Sequence, residues 1–528
     1  MLTAIFAFTI TLSAFLVFWV QPLVVKMILP PFGGSPTVWT AGMVFFQTCL
    51  LLGYVYAHVL TQRVKPLFQL VIHLGVLLTG LLWLPFVLPE DIIASTGSWA
   101  PPLRLMLVLL LTVGLPFAAI TATSSLLQSW FARTSHRDAK DPYFLYGASN
   151  FGSLLSLVLF PFLLERHWLI SEQTHQWAIA YVALVALIVI SFLVAARTLR
   201  AGEGQAERNQ IDAVSWKQRL TWVGYALVPS ALLNSFSLKL STDVAAAPLL
   251  WVIPLALYLL TFVIVFARKP WIPHRLVVRM APGAGLLLMI LPVLPISMGT
   301  MLGHLPAYFI LILLCHGELV KRRPSHQHLT SFYVWMSVGG IVGGALTALA
   351  APYIFDTILE YPICIAACML LLPSTAGNRF SDWQKDLVIA VALIGLLLLL
   401  DRGFKGLELT GVLWLVVQSR MIIAIGLIGL LTYGWRNRPM RFSLMILACM
   451  SIGVYPQVLD RGRSFFGVYK VEESGDHMLF LHGTTLHGLQ PLQKKYHLEP
   501  AGYFHPEGPF GDVTSALHKR KANVEAGV

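Results

Sequence analysis

The sequence predicts an all-α polytopic membrane protein with a small β-rich appendage at its C-terminus. Of its 528 residues, 57% are hydrophobic and only 12% are charged, whereas a soluble globular protein carries about 25% charged residues. Many apolar runs also reach the roughly 20 residues that a helix needs to cross a bilayer. These runs predict about 14 or 15 transmembrane helices.

The apolar runs predict twelve helices in the first part of the chain, near residues 4–29, 38–61, 67–88, 103–131, 143–164, 175–198, 219–240, 248–267, 277–297, 302–320, 330–352 and 357–373. The first run is longer than a signal peptide, so we expect it to be retained as a helix. Three further helices are predicted near 384–400, 408–434 and 440–457. The last of them is short enough to lie in the membrane interface instead.

Charged loops predict the orientation of these helices. The net charge of +12 comes mostly from Lys and Arg in short loops between apolar runs, which is typical of the positive-inside bias and not of nucleic-acid binding. We expect four basic loops to be cytoplasmic: 131–141, 198–219, 268–279 and 321–328. The alternate loops 89–100 and 353–360 carry only acidic charges, Glu90, Asp91, Asp356 and Glu360. These two loops are predicted to be extracytoplasmic.

A weak internal repeat divides the chain. "SHRDAKDPYFLYGASNFGS" (135–153) is similar to "SHQHLTSFYVWMSVGGIVG" (325–343), and "SPTVW" (35–39) is similar to "APLLW" (247–251). Each pair relates one helix to the helix six places later, which is typical of a transporter-like core of two pseudo-repeats. We therefore predict a first six-helix half at 1–200, a second at 201–375, and extra transmembrane helices at 376–458.

The composition changes after residue 458. "FFGVYKV" (465–471) and "HMLFLH" (477–482) are short β-type runs separated by the turn-prone "ESGD" (473–476). Residues 459–528 are therefore predicted to form a β-hairpin or three-stranded sheet, followed by a short helix at 512–522.

Several stretches in order along the chain resemble the bacterial fused major-facilitator/spermidine-synthase-like integral membrane proteins. They include "QPLVVKMILPPFGGSPTVW" (21–39), "DPYFLYGASNFGSLL" (141–155), "CHGEL" (315–319) and "HGTTLHGLQ" (482–490). The resemblance implies a multi-pass protein of the bacterial inner membrane that handles a polyamine or similar small cation. It also implies that 459–528 corresponds to the N-terminal sheet of a spermidine synthase, where Gln490, Tyr503 and His505 would face the nucleotide and amine pocket.

The catalytic part of such a synthase is missing from the sequence. No G-x-G-x-x-G follows a predicted strand, and no acidic residue stands about 20 positions further on to hold a ribose. We therefore expect no catalytic residues and no cofactor for this chain alone. The tail histidines lack a metal-ligand spacing, and the five cysteines all fall within apolar runs, so neither a metal site nor a disulfide framework is predicted.

Ionisable and polar residues within the predicted helices are the candidate substrate-binding residues, because such residues are costly in a membrane. They are Lys26, Gln47, Tyr146, Asn150, Asp243, His316 and Glu318. Each also has a structural interpretation. Lys26 would extend its ammonium group to the membrane interface, and Asp243 would pair with Lys239 one helical turn away. His316 and Glu318 would belong to an ion-pair cluster with 321–323, and the three uncharged residues would form interhelical hydrogen bonds.

A cationic substrate would require Asp243 or Glu318 in a cavity lined by aromatic residues such as Trp39, Trp251 or Tyr258. Three functions remain open: transport or membrane-coupled synthesis of a small cation, a scaffold or accessory subunit with a protein partner in a membrane complex, and an enzyme whose Rossmann domain is absent here.

The side of the membrane on which the tail lies depends on the last predicted helix. The basic "WRNRPMR" (435–441) is expected to be cytoplasmic, so a spanning helix at 440–457 would place 459–528 outside the cytoplasm.

Overall fold

The computed structural model describes residues 1–33, 36–95, 99–198, 214–243, 252–291, 298–373, 384–389, 391–392, 395, 433–454, 458–464, 467–483, 485–497 and 499–520. Eight of the 17 residues of the predicted helix near 384–400 and all but two residues of the one near 408–434 lie outside this part of the chain, as does Trp251. The backbone of Tyr503 is described, but its side chain is not.

The part of the chain predicted as the first half folds into helices that follow the predicted apolar runs closely. They are α1 (Leu2–Phe32), α2 (Pro36–Arg63), α3 (Pro66–Gly80), the short α4 (Glu90–Ser95), α5 (Pro101–Leu109), α6 (Leu115–Ala132), α7 (Phe144–Leu159), α8 (Glu165–His167) and α9 (Ile170–Ala196). Helices α5 and α6 are joined through a π-helical turn, Leu110–Gly114, and form one continuous span.

Further helices follow in the part of the chain predicted as the second half and in the segment after it. They are α10 (Trp216–Asp243), α11 (Val252–Phe266), α12 (His274–Ile290), α13 (Met298–Val320), α14 (Leu329–Ala345), α15 (Ala351–Ile354), α16 (Glu360–Leu370) and α17 (Pro439–Val454). Within the described ranges, eight helical segments are long and apolar enough to cross a membrane. Helices α11 and α16, and residues Pro439–Met450 of α17, are apolar but shorter. The polytopic helical fold predicted from the sequence is confirmed.

The repeated sequence segments adopt the same succession of elements. In the first half, α7 has 16 residues and is followed by a five-residue π-helical turn, Phe160–Leu164, and the three residues of α8. In the second half, α14 has 17 residues and is followed by a five-residue π-helical turn, Leu346–Ala350, and the four residues of α15. The sequence similarity between 135–153 and 325–343 therefore accompanies a structural one.

Helices from the two halves meet directly: α2 packs against α14, and α7 packs against α11. Within the second half, the small residues of α14 allow it to approach α10 very closely. A Cβ atom on Gly339 or Gly343 would collide with the backbone carbonyl oxygens of Val223 or Leu227. The glycine-rich face "GGIVGG" thus serves close helix packing, as its composition predicts.

The C-terminal appendage is a four-stranded antiparallel sheet in the order β1-β2-β3-β4, not the predicted hairpin or three-stranded sheet. Its strands are β1 (Asp460–Ser464), β2 (Gly467–Ser474), β3 (His477–His482) and β4 (Thr485–Pro491). Strand β1, with the sequence "DRGRS", lacks residues of high β propensity. A helix, α18 (Pro509–Arg520), follows the sheet near its predicted position.

Candidate functional site: a central cavity between the two halves

A cavity of about 160 Å³ lies between the halves. It is lined by α1, α2, α6 and α7 of the first half and by α10, α11 and α14 of the second. Three of the predicted substrate-binding residues, Gln47, Tyr146 and Asn150, line it, and so does Tyr258. Helices distant in sequence thus bring part of the predicted set to one place.

Gln47 connects the two halves beside this cavity. Its Nε2 donates to Ser230 Oγ on α10 at 3.3 Å, and Ser230 Oγ in turn donates to the Gly340 carbonyl oxygen on α14 at 2.7 Å. Because the only proton of the Ser230 hydroxyl is used, the amide nitrogen of Gln47 must face it. Gln47 Oε1 is shielded from solvent and has no hydrogen-bond partner among the described residues. It lies close to Gly344, where an added Cβ atom would be 2.5 Å away.

Tyr146 and Asn150 lie one turn apart on α7, as their spacing predicts. Asn150 Nδ2 donates to the Tyr146 carbonyl oxygen at 2.8 Å. The Tyr146 ring stacks on Tyr333 with centroids 4.9 Å apart and meets the edge of Phe266 at 4.7 Å. These rings belong to a buried aromatic cluster that also includes Tyr54, so aromatic surface borders one end of the cavity.

A hydrogen-bonded chain that the sequence did not reveal links α14 to α6 and α7. Tyr333 Oη donates to Gln128 Oε1 at 2.7 Å, Gln128 Nε2 donates to Ser124 Oγ at 3.1 Å, and Ser124 Oγ donates to Ser149 Oγ at 3.3 Å. Ser124 and Ser149 line the cavity. Gln128 is a polar residue in an apolar helix, the same signal that identified Gln47, and could have been found that way.

No charged side chain lines the cavity among the described residues. The described lining residues therefore offer hydroxyl, amide, aromatic and aliphatic groups, and none of them supplies the carboxylate that a cationic substrate would require.

Lys26 and Asp243 lie away from the cavity, each in an ion pair. Lys26, near the end of α1, pairs with Glu165 of α8, and its ammonium group lies 5.9 Å from the centroid of Phe160. Lys239 Nζ and Asp243 Oδ2 are 2.5 Å apart at the end of α10, which is the pair that their spacing predicts. Trp39, on α2, is buried outside the cavity lining.

Glu318 is buried against His274, Lys321 and Arg322 at the end of α13. Its carboxylate is 2.7 Å from His274 Nε2, 2.9 Å from Lys321 Nζ and 2.6 Å from Arg322 Nη1, and its side chain is 3% exposed. With three partners, this carboxylate is already neutralised, so the geometry matches the ion-pair interpretation of the sequence.

His316 is fully buried directly behind the cavity wall. Thr261 Oγ1 donates to the Tyr258 carbonyl oxygen at 2.6 Å, so it accepts from His316 Nδ1, 2.7 Å away. His316 Nε2 has no partner among the described residues. The imidazole stacks on Phe262 at 3.7 Å and meets the edge of Tyr258 at 4.7 Å. Both of these rings line the cavity.

The halves are also joined at the membrane face that carries the basic loops, hereafter the basic face. Arg268 Nη2 lies 2.9 Å from Asp138 Oδ2, and Arg323 Nη2 lies 3.1 Å from Asp141 Oδ2. Tyr143 Oη donates to the Pro324 carbonyl oxygen at 3.0 Å. Burial raises the pKa of Tyr143 above its usual range, so its hydroxyl keeps the proton that this bond needs.

The predicted cofactor-binding residues of the tail make local contacts. Gln490 on β4 is exposed, and its Nε2 donates to the His497 carbonyl oxygen at 3.4 Å. His505 is exposed, and its Nδ1 accepts from the Glu507 backbone N–H at 3.2 Å. Their assignment to a nucleotide and amine pocket remains a prediction.

No family model matches the sequence, and no curated protein does. Solved structures of transporters are similar to the chain at low identity. The human organic anion transporter MFSD10 is 13% identical, with a TM-score of 0.43 over 70% of this chain and 97% of that one. An E. coli fucose:proton symporter is 14% identical, with a TM-score of 0.38 over 69% and 97%.

A bacterial homologue of the human lysosomal transporter Spinster, in an inward-facing and unoccupied conformation, is 13% identical. Its TM-score is 0.40 over 86% of this chain and 95% of that one. Identities this low transfer no substrate, so the chemistry has to come from the residues of this chain.

Proposed function

We propose that this protein is a membrane transporter that carries a small uncharged, polar solute through the cavity between its two halves. The observation that supports this most is the uncharged lining, contributed by seven helices from both halves. A cavity of about 160 Å³ is close to the size that holds a benzene ring, roughly 150 Å³. The plasma membrane of a bacterium, implied by the resemblance, is the proposed location.

The lining residues indicate what such a solute would look like. The rings of Tyr54, Tyr146, Tyr258 and Phe262 offer flat surfaces for stacking. The amide group of Gln47 and the hydroxyl groups of the lining serines supply hydrogen-bonding capacity for polar groups of the solute. A compact, ring-shaped molecule with hydroxyl or amide groups satisfies both requirements, as in most small-molecule sites.

A polyamine, the substrate implied by the resemblance, fits this lining less well. Burying an unpaired ammonium group is expensive, whereas one aromatic face returns only about 0.5–2 kcal/mol. The carboxylates of Asp243 and Glu318 are already neutralised in ion pairs outside the cavity lining. We therefore propose a neutral substrate in place of a cation.

Transport requires the solute to leave on either side of the membrane. On the basic face, the exposed contacts Arg268–Asp138 and Arg323–Asp141 join the halves. Exposed ion pairs contribute only about 0–1 kcal/mol each, so they can break and re-form as the halves separate. We propose that they close the cavity on this side in the state described here.

A cavity-filling substitution tests the proposal. The purified protein is reconstituted in liposomes, and uptake of labelled monosaccharides, small lactams and spermidine is measured. Ser149→Phe places a ring in the cavity, whereas Leu155→Phe, on the exposed side of the same helix, is the matched control. We expect uptake of a neutral solute that Ser149→Phe abolishes and Leu155→Phe leaves unchanged.

Two results would contradict it. Uptake of a neutral solute that is insensitive to Ser149→Phe would show that transport does not use this cavity. Uptake of spermidine alone, blocked by Ser149→Phe, would show that the cavity accepts cations.

A further inference from the structure

The C-terminal sheet is attached to the helical core through a buried arginine. Arg463 on β1 forms a two-pronged contact with Glu360 at the start of α16: Nη2 lies 2.6 Å from Oε1, and Nη1 lies 3.0 Å from Oε2. Arg463 Nη1 also donates to the Thr357 carbonyl oxygen at 2.6 Å. The two charged side chains are 1% and 4% exposed. Such planar, paired hydrogen bonds fix the geometry as well as the charge.

A second ion pair, formed by a residue two positions earlier on β1, also attaches the sheet to the helical core. Arg461 Nε lies 2.8 Å from Asp356 Oδ2. Residues two apart on a strand point to the same side, so one face of β1 contacts the loop between α15 and α16. Both acidic partners belong to the loop 353–360, which has no basic residue of its own.

The turn between β3 and β4 contacts a different part of the core. Gly483 adopts φ +61°, and a Cβ atom there would lie 2.8 Å from the carbonyl oxygen of Thr242. Both the left-handed conformation and the close approach favour glycine at this position. Thr242 lies at the end of α10, next to the Lys239–Asp243 ion pair.

Both attachment points lie at the membrane face opposite the basic face. The helical segment His326–Ile354 runs 29 residues from the basic loop 321–328 to the acidic loop. Helix α10 runs 28 residues from the basic loop 198–219 to Asp243. At 1.5 Å per residue each spans roughly 40 Å, enough to cross a bilayer. The sheet therefore contacts the core at the ends of two helices that begin at the basic face.

The helix that leads into the sheet, α17, also runs from the basic face towards the opposite face. Helix α17 begins within the basic "WRNRPMR" (435–441) and packs against α16 and α12. Its 16 residues extend roughly 24 Å, most of the ~30 Å hydrocarbon thickness. The chain thus passes from the basic face towards the sheet on the other side.

We propose that the C-terminal sheet is an extracytoplasmic cap, latched to the second half of the protein by Arg463 and Glu360. The basic face is cytoplasmic by the positive-inside rule, which places the sheet outside. Its attachments are to α10 and to the loop before α16, so it moves with the second half when the halves separate. A sheet in this position is separated from cytosolic nucleotides and lies at the outer surface, beside the ends of the helices.

Cysteine labelling tests the side of the membrane. Ser474→Cys places a thiol on the exposed end of β2, and Arg137→Cys, whose native side chain is 87% exposed, places one on the basic face. The five native cysteines are buried, so background labelling should be low. In intact cells treated with a membrane-impermeant maleimide, we expect Ser474→Cys to be labelled and Arg137→Cys to be labelled only after lysis. The reverse pattern would overturn the proposal.

Limited proteolysis tests the latch. Glu360→Gln leaves Arg463 without its counter-charge, and we expect the tail of the purified protein to be cleaved at least tenfold faster. Lys470→Gln, which removes the Lys470–Glu472 ion pair within the sheet, is the control and should not change the rate. The charge-reversed double variant Glu360→Arg with Arg463→Glu should restore slow cleavage. Unchanged cleavage of Glu360→Gln would show that the sheet is not held by this contact.

Discussion

At the scale of single residues, hydrogen-bond direction determines which groups are available. The Ser230 hydroxyl donates to Gly340 and must therefore accept from Gln47. This leaves one amide oxygen shielded from solvent and unpaired beside the cavity. The sequence identified Gln47 as a polar residue in an apolar helix, but the free oxygen follows only from partners on α10 and α14, more than 180 residues away.

Gln47 gives the first prediction. Gln47→Leu removes the unpaired acceptor and one hydrogen bond of about 1 kcal/mol. We expect affinity for the transported solute to fall about tenfold, the effect of losing about 1.4 kcal/mol of binding free energy. The control is Thr48→Val, at the exposed neighbouring position on α2. Equal affinities of Gln47→Leu and the wild type in an uptake assay would contradict a role in binding.

His316 gives a prediction about stability. Thr261→Val removes the acceptor of His316 Nδ1–H and leaves both ring nitrogens unpaired, which should cost about 1–3 kcal/mol. His316→Phe removes both polar nitrogens and keeps a ring against Phe262, so it should cost much less. Thermal unfolding in detergent compares them. If His316→Phe were the more destabilising, the histidine would have a further partner in the folded protein.

At the scale of elements, the sequence predicted the helices well because each apolar run is long and continuous. It missed β1 and β4. The sequence "DRGRS" of β1 shows no β pattern, and this strand is held by pairing with β2 and by Arg461 and Arg463 reaching acidic residues more than 100 positions away. Strand β4 includes Gly488 and only weak alternation. Contacts between distant segments decide both strands.

The contact of α10 with α14 gives a prediction at this scale. Gly343→Ala adds a methyl group that would collide with the carbonyl oxygen of Leu227, and overpacking of this kind costs about 1–3 kcal/mol. Gly340→Ala on the same helix meets nothing within 4 Å and should be neutral. Unfolding temperatures of the two variants measure the difference. Equal stability would mean that the two helices are further apart than described.

At the scale of the whole molecule, the order of the helices, the charge of the loops and the internal repeat were accessible from the sequence. The charge of the cavity was not, because it depends on which of the ionisable residues within helices face the centre. Lys26, Asp243, His316 and Glu318 all met the same sequence criterion, yet none lines the cavity. Only the uncharged members of the predicted set do.

The ion pairs that connect the two halves at the basic face give a prediction for the whole molecule. Asp141→Arg replaces the contact with Arg323 by repulsion, and we expect the halves to separate more often on this side. A single exposed pair shifts a population by up to about fivefold. Accessibility of a cysteine at Ser149 from the basic face should rise accordingly. The double variant Asp141→Arg with Arg323→Asp should restore the original accessibility, and failure to do so would show that the pair does not join the halves.

The most direct test of the central claim is equilibrium binding of neutral and cationic solutes to the purified protein. Isothermal titration would compare monosaccharides and small lactams with spermidine, in the wild type and in Ser149→Phe. The uncharged cavity predicts saturable binding of at least one neutral solute, lost in Ser149→Phe, and no binding of spermidine to the cavity. Saturable binding of spermidine that Ser149→Phe abolishes, with no neutral solute bound, would contradict it.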